Sequence, residues 1–371
     1  MGATREHSNT LPVTKAPCYV RPMSRIVAVA PELPEYSYPQ AEITRELIPL
    51  ITHGSSHQAV MERTHANSGI GTRHTALPLE RYRDLGGFRE TNEIFIRVAT
   101  ELCERALSRA LDEAGLTPAD VDFVMFTSVT GISAPSIDAL LVQRLGMRSN
   151  VKRLPSYGLG CMAGAAGIAR VHDYLLGHPS EVGVLLSVEL CSLTLQRGDE
   201  SMANFVATGL FGDGAAAVVM VGDEHPAASG PRVVATTSAT YPDTTDVIGF
   251  NVGGTGFEIV LSPGVADVIE TNFPVDVAAF LSLNNLSIAD IDTWVAHPGG
   301  PKVLEAFARS LDVPTAEFAR SWDSLERVGN LSSAAVLHVL ADTLAIAEPR
   351  TNGLLFAVGP GVSAEFVLLE W

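Results

Sequence analysis

One cysteine of this chain lies among neighbours whose side chains are almost all very small. The segment from Tyr157 to Gly167 reads YGLGCMAGAAG and contains Cys161. A cysteine that only fills an apolar core needs no such clearance, although buried filler is the commoner role of a cysteine in an apolar helix. A thiol that attacks a bulky substrate does need it, because glycine lets the backbone come close to the substrate. Cys161 is therefore a candidate nucleophile.

Two polar residues later in the chain are candidates to act with this thiol. His297 follows the apolar run that begins TWV, at the carboxyl end of a predicted strand, where α/β folds usually place their chemistry. Asn330 follows Gly329 at the start of a helix pattern built from small residues. Each also has an ordinary explanation: asparagine is a good helix N-cap, and a chain with ten histidines contains structural ones. Only an arrangement that gathers all three residues favours catalysis over these explanations.

The three residue types suit covalent chemistry on an acyl thioester. A helix N-terminus and a nearby imidazolium would lower the pKa of the Cys161 thiol and give a thiolate near neutral pH. The thiolate would attack a thioester carbonyl and hold the acyl group. His297 and Asn330 would donate hydrogen bonds to an oxygen that becomes negative, either a tetrahedral oxyanion or an enolate. The trio therefore predicts acyl transfer through a cysteine thioester.

An internal repeat supports bringing these residues together. The segment LTPADVDFVMFTSVTG resembles LSIADIDTWVAHPGG, which places Asp122 and Asp292 170 positions apart. GLGCMAGAAGI aligns with RVGNLSSAAVL, so that Cys161 stands opposite Asn330 at an offset of 169. VGVLLSVE aligns with NGLLFAVG, again at an offset of 170. Three matches at nearly one offset predict two copies of one structural unit.

The repeat predicts an α/β fold of two halves, 23–230 and 231–371, related by a pseudo-twofold axis and packed as layers. A loosely ordered extension, 1–22, would precede them. The first strands of the two halves, SRIVAVAPELPEY and PRVVATTSATYPD, stand 207 positions apart, so the first half would carry an insertion around 41–95. The small, apolar helices after Gly160 and Gly329 would be innermost. Their N-termini would then face each other and bring Cys161 and Asn330 together.

Composition narrows the class of protein. The 371 residues are long enough for a large core, as one broad domain or two fused ones. The formal net charge of −17, with no basic block, disfavours nucleic acid and anionic membrane surfaces as partners. No apolar run predicts a membrane span or a secretory signal. The four cysteines form no C-x-x-C pair, so a metal site is not expected. A cytoplasmic enzyme with free thiols is the resulting interpretation.

At these residues the sequence resembles the type III polyketide synthases, the chalcone-synthase family of thiolase-fold condensing enzymes. The resemblance covers 25–371 and depends on GLGCMAGAAG, GLFGDGAAAVV, HPGGP, GNLSSA and GPG. It implies a five-layered αβαβα fold and a homodimer. It also implies that Cys161 carries the acyl chain while His297 and Asn330 promote decarboxylation of malonyl-CoA. CoA thioesters would be substrates, and no cofactor would be needed.

The resemblance also implies residues around the substrate. The implied pocket residues are Phe211, Glu189, Cys191, Thr194, Val129, Gly359, Pro360 and Gly361. Phe211 would guard the junction between an entrance tunnel and the cavity. Val129 begins VTG where bacterial naphthalene-forming members resemble CTG, which counts against a pentaketide aromatic product. Arg63 matches one of the cations expected at the CoA phosphates, and two nearby matching positions hold other residues.

The sequence thus predicts decarboxylative condensation of malonyl-CoA units onto an acyl starter held on Cys161, followed by cyclisation to an alkyl α-pyrone or a resorcinol. One alternative is a starter-type β-ketoacyl synthase that makes a single condensation on an acyl carrier protein. A second is an inactive thiolase-fold protein that only binds acyl thioesters. Delivery of the starter by an acyl carrier protein remains open in the first interpretation.

Overall fold

Apolar runs rich in β-branched residues form the long strands of the computed structural model, which describes residues 23–371. The strands are β1 (Ser24–Glu32), β2 (Tyr36–Pro39), β3 (Thr72–Thr75), β4 (Phe123–Thr127), β5 (Lys152–Ser156), β6 (Val182–Leu190), β7 (Asp213–Gly222), β8 (Arg232–Thr240), β9 (Ile248–Gly253), β10 (Gly256–Leu261), β11 (Thr293–Ala296), β12 (Asn352–Gly359) and β13 (Ser363–Glu370). The helices are α1 (Gln40–Ile51), α2 (Ser55–Ala66), α3 (Phe88–Ala114), α4 (Ile137–Arg144), α5 (Ala163–Leu176), α6 (Met202–Leu210), α7 (Val265–Leu283), α8 (Pro301–Leu311), α9 (Ala319–Val328) and α10 (Ala335–Leu344). The predicted extension, 1–22, lies outside the described residues.

The order of the main sheet repeats around its centre. The nine strands run β11-β12-β13-β8-β1-β7-β6-β4-β5, and β1 pairs antiparallel with β8 at the middle. Outward from this pair, β7, β6 and β4 on one side match β13, β12 and β11 on the other. Both series contain antiparallel pairs followed by one parallel pair. The predicted internal repeat is therefore confirmed. The predicted boundary at 230/231 lies in the connection between β7 and β8.

The repeated aspartates show why the sequence match exists. The Asp122 carboxylate accepts the backbone N–H of Val182 at 2.9 Å, and Asp292 accepts that of Asn352 at 2.9 Å. Each aspartate therefore joins the beginning of one central strand to the loop before its neighbour. Removing either carboxylate would leave a strand-end N–H without its partner, a loss of the order of 1 kcal/mol or more.

Helices α5 and α10 form the layer between the two halves of the sheet. Strand β12 shows the alternation, because Leu355 and Ala357 pack in the central core with α5 and α10. Leu354 and Phe356 point the other way, into a separate core with α7. On the far side of the first half, α3 packs on β1, β6 and β7. The five-layered αβαβα arrangement is therefore confirmed, and it explains why the central strands read as continuous apolar runs.

The predicted insertion is real but ends earlier than expected. Between β1 and α3 the first half contains α1, α2 and the antiparallel pair β2–β3. Helix α3 begins at Phe88 and is the counterpart of α7, so the last residues of 41–95 belong to the repeat. The second half has a hairpin, β9–β10, at the corresponding place. Among the helices of residues 23–371, none is long and apolar enough to cross a membrane.

Candidate active site

The N-termini of the two inner helices meet, as predicted. A short 3₁₀ turn, Gly160–Met162, leads into α5, and another, Ser332–Ala334, leads into α10. The Cys161 Sγ lies 3.6 Å from the hydroxyl oxygen of Ser332. The contact between the helices is close, because a Cβ added to Gly164 would come within 2.3 Å of the Ser333 carbonyl oxygen. The nucleophile segment and the asparagine segment thus form one site.

Asn330 is held at both its backbone and its side chain. Its N–H donates to Leu210 O at 2.9 Å, and its carbonyl accepts from Gly212 at 3.0 Å, which makes a parallel bridge beside Phe211. Its Oδ1 accepts the Ser332 N–H at 2.8 Å, and its Nδ2 donates to Gly299 O at 3.2 Å. The carboxamide orientation is therefore fixed by partners on two different loops.

His297 lies directly after β11, as predicted, with its backbone N–H bonded to Phe356 O at 3.0 Å. The residue is 1% exposed, and its Nδ1 has no hydrogen-bond partner among the described residues. Gly299, which accepts the Asn330 amide, is only two residues further along the chain. His297 therefore stands beside the Asn330 loop with a buried ring nitrogen that none of residues 23–371 satisfies.

Burial disfavours the expected thiolate–imidazolium pair in the free protein. Burial raises the pKa of the Cys161 thiol to about 12, with Glu189 acting in the same direction. Hydrogen bonds from Ser332 and Asn330 oppose this increase in pKa without overcoming it. Burial also lowers the pKa of His297 to about 3. Both shifts favour a neutral thiol and a neutral imidazole in the free protein, because enclosure penalises both charged forms.

A cavity opens at the thiol. Of the residues predicted to surround the substrate, Cys191, Thr194, Phe211 and Pro360 line it together with Cys161. Apolar residues from α1, α6 and the β9–β10 hairpin also line it. They include Ile43, Leu47, Ala207, Ile248, Phe250, Phe257 and Ile259.

Glu189 and Val129 do not line this cavity, which corrects the sequence prediction. Glu189 is fully buried on β6 and accepts the hydroxyl of Thr130 at 2.8 Å and the Val129 N–H at 3.1 Å. It also accepts the hydroxyl of Ser333 beside the site. Burial raises the pKa of this carboxyl group. The Val129 side chain is 2% exposed, so the residue at this position meets Glu189 through its backbone and not the cavity.

Gly359 and Gly361 also stay outside the cavity lining, and Gly359 has a different use. A Cβ on Gly359 would come within 2.6 Å of the Leu159 carbonyl oxygen. Gly160 has φ +54°, and a Cβ there would meet Pro360 at 2.4 Å. The GPG segment therefore packs directly against the turn that carries Cys161. Glycine is required at these contacts because any side chain would separate the two backbones.

Arg63 is exposed near the C-terminal end of α2 and does not line the cavity. Sequence reasoning missed two residues of the site, Ser332 and Arg73. Ser332 stands two residues after Asn330 in a quoted motif, so its position in a helix-starting turn could have indicated it. Arg73 lines the cavity from β3, and the surrounding TRHT stretch gives no signal of that position.

Comparison with known proteins agrees with this geometry. The family model for the N-terminal domain of chalcone and stilbene synthases matches residues 19–224, and the model for the C-terminal domain matches 232–370. A 1,3,6,8-tetrahydroxynaphthalene synthase of Streptomyces peucetius subsp. caesius is 50% identical over 350 residues, 93% of each chain. An α-pyrone synthesis polyketide synthase-like protein of Mycobacterium tuberculosis (strain H37Rv) is 31% identical, covering 83% of this chain and 81% of the relative. The crystal structure of the tetrahydroxynaphthalene synthase from Streptomyces coelicolor A3(2) superposes with a TM-score of 0.88 and 30% identity, covering 94% and 99% of the two chains.

Proposed function

Because the chain belongs to the chalcone and stilbene synthase family and is a type III polyketide synthase, we propose that Cys161 holds the growing acyl chain while His297 and Asn330 act on the malonyl unit. The observation that carries this proposal is the meeting of the Cys161 and Asn330 segments beside one cavity, which Cys161 and Ser332 line while Asn330 and His297 lie behind its wall. The substrates are CoA thioesters. Each group in the proposed steps is a side chain of this protein or part of a substrate, so the reaction requires no further cofactor.

The first step is transfer of an acyl group to the thiol. The neutral imidazole of His297 accepts the thiol proton as the thioester enters, and the sulfur forms a bond to the acyl carbon. The carbon–sulfur bond to CoA then breaks, and the CoA sulfur takes a proton as it leaves. Burial lowers the pKa of His297, so its ring enters this step neutral. The raised thiol pKa means that deprotonation accompanies substrate entry instead of preceding it.

The second step is carbon–carbon bond formation. Malonyl-CoA loses its carboxylate as CO₂, and the electron pair left behind forms an enolate on the thioester. Asn330 Nδ2 and the neutral imidazole N–H donate hydrogen bonds to the enolate oxygen. The enolate carbon attacks the acyl carbon on Cys161, and the thiolate leaves. The chain, now two carbons longer, is on CoA and can return to Cys161 for another extension.

For the product we propose the aromatic class named for the Streptomyces peucetius relative. That relative is 50% identical over nearly the whole chain. A ten-carbon naphthalene needs five malonyl units, since each leaves two carbons after decarboxylation. The sequence argument against it was the absence of a cysteine at Val129, and this side chain does not reach the cavity. The alkyl α-pyrone or resorcinol that the sequence predicts is the second candidate, supported by the α-pyrone relative at 31% identity.

The starter requirement separates these products. Incubation with malonyl-CoA alone should give a ten-carbon aromatic product by mass spectrometry if malonyl units also supply the starter. An alkyl α-pyrone or resorcinol would appear only when an acyl-CoA is added. A linear β-ketoacyl product on a carrier protein would support the single-condensation alternative. No turnover with either substrate set, in a folded sample whose Cys161 is reduced, would support the inactive binding protein.

We also propose that the protein is a homodimer. Strand β5 ends the sheet on one side, and most of its residues are exposed. Large apolar side chains nearby are exposed as well, including Ile132, Leu154 and Tyr157. A strand edge with free backbone groups and apolar neighbours favours pairing with a second copy. Light scattering should give twice the chain mass, and Leu154→Glu should shift it towards the single chain; a wild-type monomer at micromolar concentration would overturn the proposal.

A further inference from the structure

Arg73 is a buried guanidinium that lines the cavity and packs against the bridge between Phe211 and Asn330. The residue is 4% exposed, and its Nε donates to Gln40 Oε1 at 2.8 Å. Its Nη1 donates to the carbonyl oxygen of Phe211 at 2.6 Å. Nη2 has no protein partner among residues 23–371. A guanidinium is costly to bury, and it is retained in protein interiors where its fork of donors meets fixed acceptors.

The aliphatic part of Arg73 packs on the loops that carry Phe211 and Asn330. A Cβ on Gly329 would lie 3.1 Å from the Arg73 Cγ and Cδ, and one on Gly212 would lie 3.7 Å from Cγ. These two glycines flank the parallel bridge between Phe211 and Asn330. Arg73 therefore contacts both sides of the bridge and bonds to one of its carbonyl groups.

The neighbouring charges explain how the cation is tolerated. Asp213 is fully buried and opposes the loss of the Arg73 proton. Its carboxylate accepts the backbone N–H groups of Ala76 at 2.6 Å and Ser192 at 2.8 Å. Burial lowers the pKa of Arg73 only to about 10, so the side chain stays charged at neutral pH. The charge is thus balanced without a direct contact to the thiol.

We propose that Arg73 is a positioning residue that holds the Phe211–Asn330 bridge where the Asn330 carboxamide can act on the malonyl unit. The proposal deepens the function given above and rests on it. The structure shows no bond from Arg73 to Cys161. Loss of Arg73 should therefore impair the step that uses Asn330 more than the transfer of an acyl group to the thiol.

Two reactions of the whole enzyme separate these effects. Release of CO₂ from malonyl-CoA reports on the step assigned to Asn330, and the mass of the Cys161 peptide after acyl-CoA treatment reports on acylation. Arg73→Met keeps the packing volume and removes all donors. It should lower decarboxylation by about tenfold or more, the equivalent of one lost hydrogen bond to a charged group, while acylation stays within about threefold.

Arg73→Lys keeps the charge but cannot reproduce the two-pronged contact, so it should recover less than half of the lost decarboxylation. Arg170→Met is the matched control, because Arg170 bonds Glu365 and Ser238 away from the cavity. Equal decreases in decarboxylation and in acylation of Cys161, which leave their ratio unchanged, would overturn the proposal. So would full recovery of decarboxylation in Arg73→Lys. So would failure of both Arg73 variants to fold, judged by circular dichroism, since that shows a purely structural role. Absence of both reactions in the wild type would instead overturn the proposed function.

Discussion

Replacing Gly164 by alanine tests the close contact between the inner helices. The added Cβ would lie 2.3 Å from the Ser333 carbonyl oxygen and 2.7 Å from Val336 Cγ1. Both atoms belong to fully buried residues, so neither can move aside freely. Overpacking of this kind costs about 1–3 kcal/mol. The better helix propensity of alanine returns about 1 kcal/mol, so a net loss between zero and about 2 kcal/mol in the free energy of unfolding is expected.

The same displacement should affect chemistry. The Ser333 carbonyl belongs to the turn that begins with Ser332, whose hydroxyl is 3.6 Å from Cys161 Sγ. A movement of about 1 Å in a reacting geometry can cost about 100-fold in rate. We therefore expect Gly164→Ala to slow acylation of Cys161 by at least about tenfold, measured by the mass of its peptide after timed exposure to acyl-CoA.

Gly177→Ala is the control for this variant. Gly177 caps the C-terminal end of the same helix with φ −88°, and a Cβ there would make only an ordinary contact of 3.6 Å with Tyr174 O. Its stability in urea and its acylation rate should match the wild type. If Gly164→Ala also unfolds at the wild-type urea concentration and acylates at the wild-type rate, the inner helices do not meet as described.

Three further predictions concern single ionisable residues of the chain. Burial holds the pKa of His338 near 4 against an ordinary 6.5, so the unfolded chain binds the proton first as pH falls and stability is lost between about pH 6.5 and 4. In urea titrations His338→Gln should therefore remove about 2 kcal/mol of the stability that the wild type loses between pH 7.5 and 5. The same loss in wild type and variant would contradict this. The rate of alkylation of Cys161 by iodoacetamide should increase about tenfold per pH unit from pH 6 to 9, because the thiol pKa is about 12 and only the thiolate reacts. A rate that reaches a plateau near pH 7 would indicate a resting thiolate. The family resemblance implies that the exposed Arg63 contacts the CoA phosphates outside the cavity. On that expectation Arg63→Ala should raise the KM for malonyl-CoA about threefold or more with kcat unchanged, and steady-state kinetics with an equal KM would show that Arg63 does not bind CoA.

The internal repeat made most of the architecture predictable because residues at matched positions of the two halves make the same contacts. Asp122 and Asp292 accept strand-end N–H groups in the same way, so selection of one geometry twice left a readable offset in the sequence. The small residues after Gly160 and Gly329 predicted innermost helices for a related reason. A layer covered by sheets on both faces can tolerate little volume.

Side-chain direction within fully buried strands was not predictable. All nine residues of β6 are buried, so an apolar-polar alternation could not show which of them face the cavity. Glu189 follows Leu185 and Ser187 at period two, towards the inner helices, where Ser187 and Ser333 are 2.8 Å apart. Only the position of α10 in three dimensions reveals that Glu189 meets its turn instead of the substrate.

The small residues around Cys161 also explain the protonation state of its thiol. The glycines and alanines around Cys161 suggested room for a substrate, but Gly164 and Gly167 use their missing side chains to admit Ser333 and Leu185. A Cβ on Gly167 would meet Leu185 at 2.4 Å, so the space is already occupied by protein. Close packing of these layers desolvates the protein-facing side of the half-buried thiol, and desolvation raises its pKa. The small residues that bring Cys161 and Asn330 together are therefore also the reason that the thiol waits in its neutral form.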